Sequence, residues 1–181
     1  NLDGQLQFLD LSDPLAPFGY VDLDKHVKAG LLLQKNLSKL IPIQIRHNSN
    51  TVVFSSISFK EDTGELIMDN TLRSFQYAGL KTARFSERLK KNGDPLTKLF
   101  QESFEETEIR NVTVDNKLAE NNFFSTSFQL VVDGLVNADQ LSFSPIPYSS
   151  FAKNPFTLDF RVFPVDFEYA FSETYTSNIQ I

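Results

Sequence analysis

The chain reads as mainly β: an antiparallel β-sandwich or open barrel with one helical hairpin inserted at about 75–106. Three observations predict it. Short runs of β-branched and aromatic residues recur at roughly 8–12-residue spacing, as in sandwiches and barrels. Val165, Phe167, Tyr169 and Phe171 alternate with Asp166, Glu168, Ala170 and Ser172, the pattern of a strand with one buried face and one wet face. Between residues 75 and 106 the apolar period changes from two to that of a helix.

Residues 5–11 read as a short strand, ended by Ser12-Asp13-Pro14, where the fixed proline φ and the Asp side chain favour a turn. Residues 15–19 are a Pro/Gly-punctuated connection. Several short strands fit residues 21–45, with Pro42 marking an edge or an end. Residues 51–59 and 65–69 form a β-hairpin around Glu61-Asp62-Thr63-Gly64.

A first helix is predicted over residues 75–91, with Ala78, Thr82, Phe85 and Leu89 on one face, and Asn92-Gly93 stops it. Asp94 is then an N-cap with Pro95 at the first helical position. The second helix places Leu96, Leu99, Phe100 and Phe104 on one stripe. Strands follow at 109–114, 123–132, 141–143, 158–163 and 165–171.

Composition narrows the function classes. A chain of 181 residues suits one domain, or one domain and a fragment of another. At this size folding buries roughly 70% of the unfolded surface, so no metal or disulfide staple is required. Eighteen Phe with no Trp and one Met point to a core of rigid aromatic rings. The net charge of −6, with Lys and Arg scattered, argues against nucleic acid and against an anionic membrane surface. No apolar run approaches the roughly 20 residues that span a bilayer. Without cysteine there is no disulfide, thiolate metal site or cysteine nucleophile in these residues. The chain starts Asn-Leu-Asp-Gly and stops inside a strand-like stretch at Ile181, which reads as a fragment truncated at its C-terminal end.

Two segments resemble a known family. Leu9-Asp10-Leu11-Ser12-Asp13-Pro14, continuing Leu15-Ala16-Pro17-Phe18-Gly19, is similar to the end of the transglutaminase-like core of large bacterial proteins. Asn154-Pro155-Phe156, Arg161, Pro164-Val165-Asp166-Phe167 and Glu173-Thr174-Tyr175 look like the domain of unknown function that follows that core. The resemblance implies that residues 1–19 are the C-terminal edge of the core and residues 20–181 a β-rich accessory domain. It implies that Asp10 is the carboxylate of a Cys-His-Asp triad, which would orient the histidine and stabilise its imidazolium. Without Cys and His beside it, Asp10 is inert here. Its alternative role is a strand-end carboxylate satisfied by backbone N–H groups. The partner implied is the upstream core of the same polypeptide, and the location implied is periplasmic or cell-envelope. No cofactor is expected.

Other chemistry-bearing residues carry weaker signals. His26 and His47 lie in separate segments without metal-ligand spacing, and no serine sits in a Gly-x-Ser-x-Gly elbow. Asp22 and Asp24 share one face of a predicted strand, a pattern that fits a solvated edge better than a cation site. Glu102, Glu105, Glu106 and Glu108 read as a wet helix face and its exit. Asn36-Leu37-Ser38 and Asn111-Val112-Thr113 match the glycosylation pattern by chance. Tyr148 and Tyr169 are the candidate sugar-stacking rings. Two functions are therefore expected: a non-catalytic structural or interaction domain of a larger transglutaminase-like protein, or a self-contained module binding glycan or peptide through a sheet face or edge. A carboxylate hydrolase would need a deep cleft with two facing acids.

Overall fold

The predicted hairpin is the centre of the structure and is longer than its turn chemistry alone indicates. In the computed structural model, which describes residues 12–22, 27, 29–34, 37–43, 48–100, 107–133, 143–146, 149 and 170–180, it comprises β3 (Asn48–Lys60) and β4 (Glu65–Phe75). The turn closes through the Gly64 N–H on the Lys60 carbonyl at 2.8 Å, and Gly64 takes the left-handed φ of 67°. Upstream, β1 (Ala29–Gln34) and β2 (Leu37–Pro42) form a separate two-stranded antiparallel sheet, in which exposed Leu31 and Leu40 face each other.

The main sheet has five strands in the order β5-β6-β4-β3-β7, with β5 at Glu108–Lys117, β6 at Phe123–Val132 and β7 at Ala170–Gln180. The described chain is mainly β, and neither sheet closes into a barrel. One pairing departs from the antiparallel expectation: β7 runs parallel to β3, pairing Asn48 with Ala170 and Ser58 with Gln180. Alternation within a strand fixes its faces and leaves its partner and direction open. Predicted strands 5–11 and 158–163, and positions 141–142 and 165–169, lie outside the described residues. Phe143 is described and is not in a strand.

Register decides the two faces. Val53 pairs with Leu72 and Ile57 with Met68, while Met68 pairs with Leu130 and Asn70 with Phe128. Val53, Ile57, Met68, Leu72, Phe128 and Leu130 form a core with Leu66 and Phe100, and the Phe100 and Phe128 rings stack at 4.0 Å. Burying each such side chain stabilises the fold by roughly 2 kcal/mol. The opposite, open face carries Phe54, Ser56, Asp69, Thr71, Ser127 and Gln129.

Helix α1 (Gln76–Asn92) lies against the core face. Its N-terminus has no local capping side chain. Ser49 of β3 supplies the cap instead: its Oγ accepts the Ala78 N–H at 2.9 Å and donates to the Phe75 carbonyl at 3.0 Å. At the other end Gly93 (φ 72°) donates to Lys90 and Asp94 donates to Leu89, a Schellman closure.

The helix is turned relative to the predicted stripe. Tyr77, Gly79, Leu80, Ala83, Ser86 and Leu89 are buried, whereas Ala78, Thr82 and Phe85 are only half-buried. The predicted second helix is a 3-10 turn, Leu96–Leu99, in its described part. Pro95 stays extended at ψ 143°, so Asp94 caps nothing, and its carboxylate meets Lys98 Nζ at 2.5 Å instead.

A second core joins α1 to the N-terminal segment. Tyr20, Tyr77, Leu80, Ala83, Phe124 and Leu118, from the short α2 (Leu118–Asn121), pack together with Leu15 and Ala16 at their margin. Asp13 starts the segment's turn by accepting the Leu15 N–H at 2.9 Å. The connection at residues 15–19 is therefore bound down along α1.

Candidate functional site

Two rungs across the open face bring polar side chains from four strands side by side. In one rung Thr176 of β7 neighbours Phe54, Phe54 neighbours Thr71, and Thr71 neighbours Ser127. In the next, Asn178, Ser56, Asp69 and Gln129 stand in the same order. At the usual strand spacing each rung is ~14 Å wide. Together they line a shallow depression of about 480 Å³.

A bulge in β5 completes the depression. The register shifts between Arg110 and Thr113, and Asn111 takes the left-handed φ of 55°. Asn tolerates that conformation better than most residues, and a bulge of this kind re-aims a side chain. Asn111 lines the depression beside Ser127 and Gln129.

The side chains lining the depression are mostly uncharged hydrogen-bonding groups. The Thr71 and Ser127 hydroxyls lie 3.1 Å apart, and Gln129 Nε2 donates to Asp69 Oδ1 at 2.9 Å. Asp69 Oδ2 and Gln129 Oε1 accept no hydrogen bond among the described residues. In a chain with 22% charged residues, these two rungs hold one formal charge, Asp69. Phe54, 43% exposed, offers a ring face in the middle. Arg110, at the rim, bonds Glu108, and that bond holds the Glu108 carboxyl below its ordinary range.

Few of the residues singled out by sequence are among the described ones. Asp10, His26, His47, Asp24, Glu102, Glu105, Glu106, Tyr148 and Tyr169 lie outside the described residues. Asp22 is not on a strand: its Oδ2 is 2.7 Å from Arg84 Nη2. Glu108 starts β5, and in Asn111-Val112-Thr113 the first two residues form the bulge while Thr113 pairs with Ser127. Tyr175 donates to Glu173 on the core face. No group of three or more His, Asp or Glu suited to a metal occurs among the described residues, and no helix there is long and apolar enough to cross a membrane. The polar depression was missed because it exists only once register aligns four strands. Its one local signal is the run of Ser, Thr, Asn and Gln at alternate positions of β6 and β7.

Comparison with protein-family models, with curated proteins and with solved structures finds no match to this chain.

Proposed function

We propose that this chain is a non-catalytic interaction domain of a larger transglutaminase-like protein, and that it holds a glycan on the open face of its five-stranded sheet. The observation that carries the binding role is the two-rung polar face, with hydroxyl and amide groups around the exposed Phe54. Such a surface offers a ring for the apolar side of a pyranose and hydrogen-bonding groups for its hydroxyls. The resemblance of residues 9–19 and 154–175 supports the parent assignment. In that reading Asp10 is the remnant of the parent's triad, and the protein works in the periplasm or cell envelope.

A glycan array probed with this chain tests the binding role, with Phe54→Ala and Gln129→Ala as controls. Retention of one glycan class by the parent chain, lost in both variants, is the expected result. An array without signal, or signal indifferent to both substitutions, would remove the glycan. The polypeptide upstream of Asn1 tests the parent assignment: the reading requires a Cys and a His in papain-like order there.

A further inference from the structure

We propose that a second site, the cleft between α1 and the core face of the sheet, binds an amphipathic carboxylate such as a medium-chain fatty acid. The cleft has a volume of about 650 Å³, within the ~300–1,000 Å³ usual for small-molecule sites. The helical stripe predicted to be core, Ala78, Thr82 and Phe85, forms one wall of it. Leu72, Leu99 and Phe100 complete an apolar lining able to hold a hydrocarbon chain.

Its floor carries unused hydrogen-bonding capacity. Thr51 pairs with Ser74 across β3 and β4, and Thr126 lies one rung further on β6, opposite Leu72. These residues are 8%, 8% and 3% exposed, all three line the cleft, and none of their hydroxyls has a hydrogen-bond partner among the described residues. All three hydroxyls open into the cleft, where they can bond a polar group placed against them.

Charge selects the sign of that group. The chain carries −6 overall, yet the charged residues lining this cleft are Lys81, Arg84 and Arg88. Arg84 is matched by Asp13 and Asp22. Lys81 and Arg88, two helical turns apart, form no ion pair among the described residues, and the Arg88 guanidinium sits 4.8 Å above the Phe85 ring. A carboxylate between cationic mouth and hydroxyl floor gains charge-assisted hydrogen bonds, while its chain covers the apolar wall.

Calorimetric titration of the full chain with decanoate, with decan-1-ol as the uncharged control, tests this. Saturable decanoate binding is expected, weaker by roughly tenfold in K81Q/R88Q, the loss of about one charge-assisted hydrogen bond. T126V, nearly isosteric and away from the mouth, is expected to weaken it too. Decan-1-ol is expected to bind no better than decanoate binds K81Q/R88Q. Absence of saturable decanoate binding, equal affinity for the alcohol, or unchanged affinity in folded K81Q/R88Q and T126V would each overturn the proposal. Glycan binding on the opposite face does not enter either result.

Discussion

The Tyr20 hydroxyl donates a 2.6 Å hydrogen bond to Asn122 Oδ1, joining residues 102 positions apart. Asn122 ends α2 in the left-handed conformation, and its carbonyl accepts the Gln76 N–H at the start of α1. The Tyr20 ring meets Tyr77 at 5.3 Å, and the Tyr77 hydroxyl donates to the Val21 carbonyl. One side chain thus ties the N-terminal segment to both helices.

Burial pushes the Tyr20 phenol up to about 12, and burial also raises Tyr77. The unfolded phenol ionises near pH 10 and the folded one near 12. The stabilisation is therefore complete below pH 10 and lost as the pH rises toward 12, by roughly 2 kcal/mol. Denaturant unfolding at pH 8 and pH 11.5 should show that decline, and Tyr20→Phe should reduce it, leaving the part due to Tyr77. At neutral pH the same substitution should cost about 1 kcal/mol for the lost hydrogen bond.

Arg84 places Nε 2.6 Å from Asp13 and Nη2 2.7 Å from Asp22, spanning the turn on both sides of Tyr20. Its side chain is 39% exposed, so solvent screens both pairs and Arg84→Met should cost only about 1 kcal/mol globally. Locally the effect should be larger. Amide exchange over residues 12–22 should accelerate while the strands keep their protection. Unchanged exchange in that segment would show that Tyr20, Leu15 and Ala16 alone hold it.

Gly79 within α1 and Gly93 just past its end should respond differently to alanine. A Cβ at Gly79 would stand 2.4 Å from the Ser74 carbonyl oxygen, a backbone atom that cannot yield. Gly79→Ala should cost about 3 kcal/mol by overpacking. At Gly93 nothing lies within 4 Å, and only the left-handed φ of 72° opposes a side chain. That substitution should cost about 1 kcal/mol, and thermal unfolding of both variants separates the two mechanisms.

Local chemistry made some of this fold legible. Gly64 and Gly93 both adopt the left-handed backbone that their sequence contexts imply, so the hairpin turn and the end of α1 fall where local chemistry places them. The start of α1 has no signal nearby, since its cap comes from Ser49, 29 residues away from the amide it satisfies. Asp94-Pro95 carries a good helix-start signal, yet the described chain makes only a 3-10 turn that delivers Phe100 to Phe128. Tertiary packing outweighs capping chemistry there. The aromatic-rich strands indicated a core, but period two says nothing of which strands meet. Both candidate sites depend on that information.

The parallel ladder between β3 and β7 joins positions 122 residues apart, as in the contact of Ser172 with Asn50. Contacts so distant along the chain form slowly, because the entropy of closing the loop is lost before any contact compensates for it. During synthesis, β3 can zip onto β4 at once, while its other edge waits for a strand not yet made. Throughout that interval a row of bare amides and carbonyls lies open to a neighbouring nascent chain, until the docking of β7 covers it.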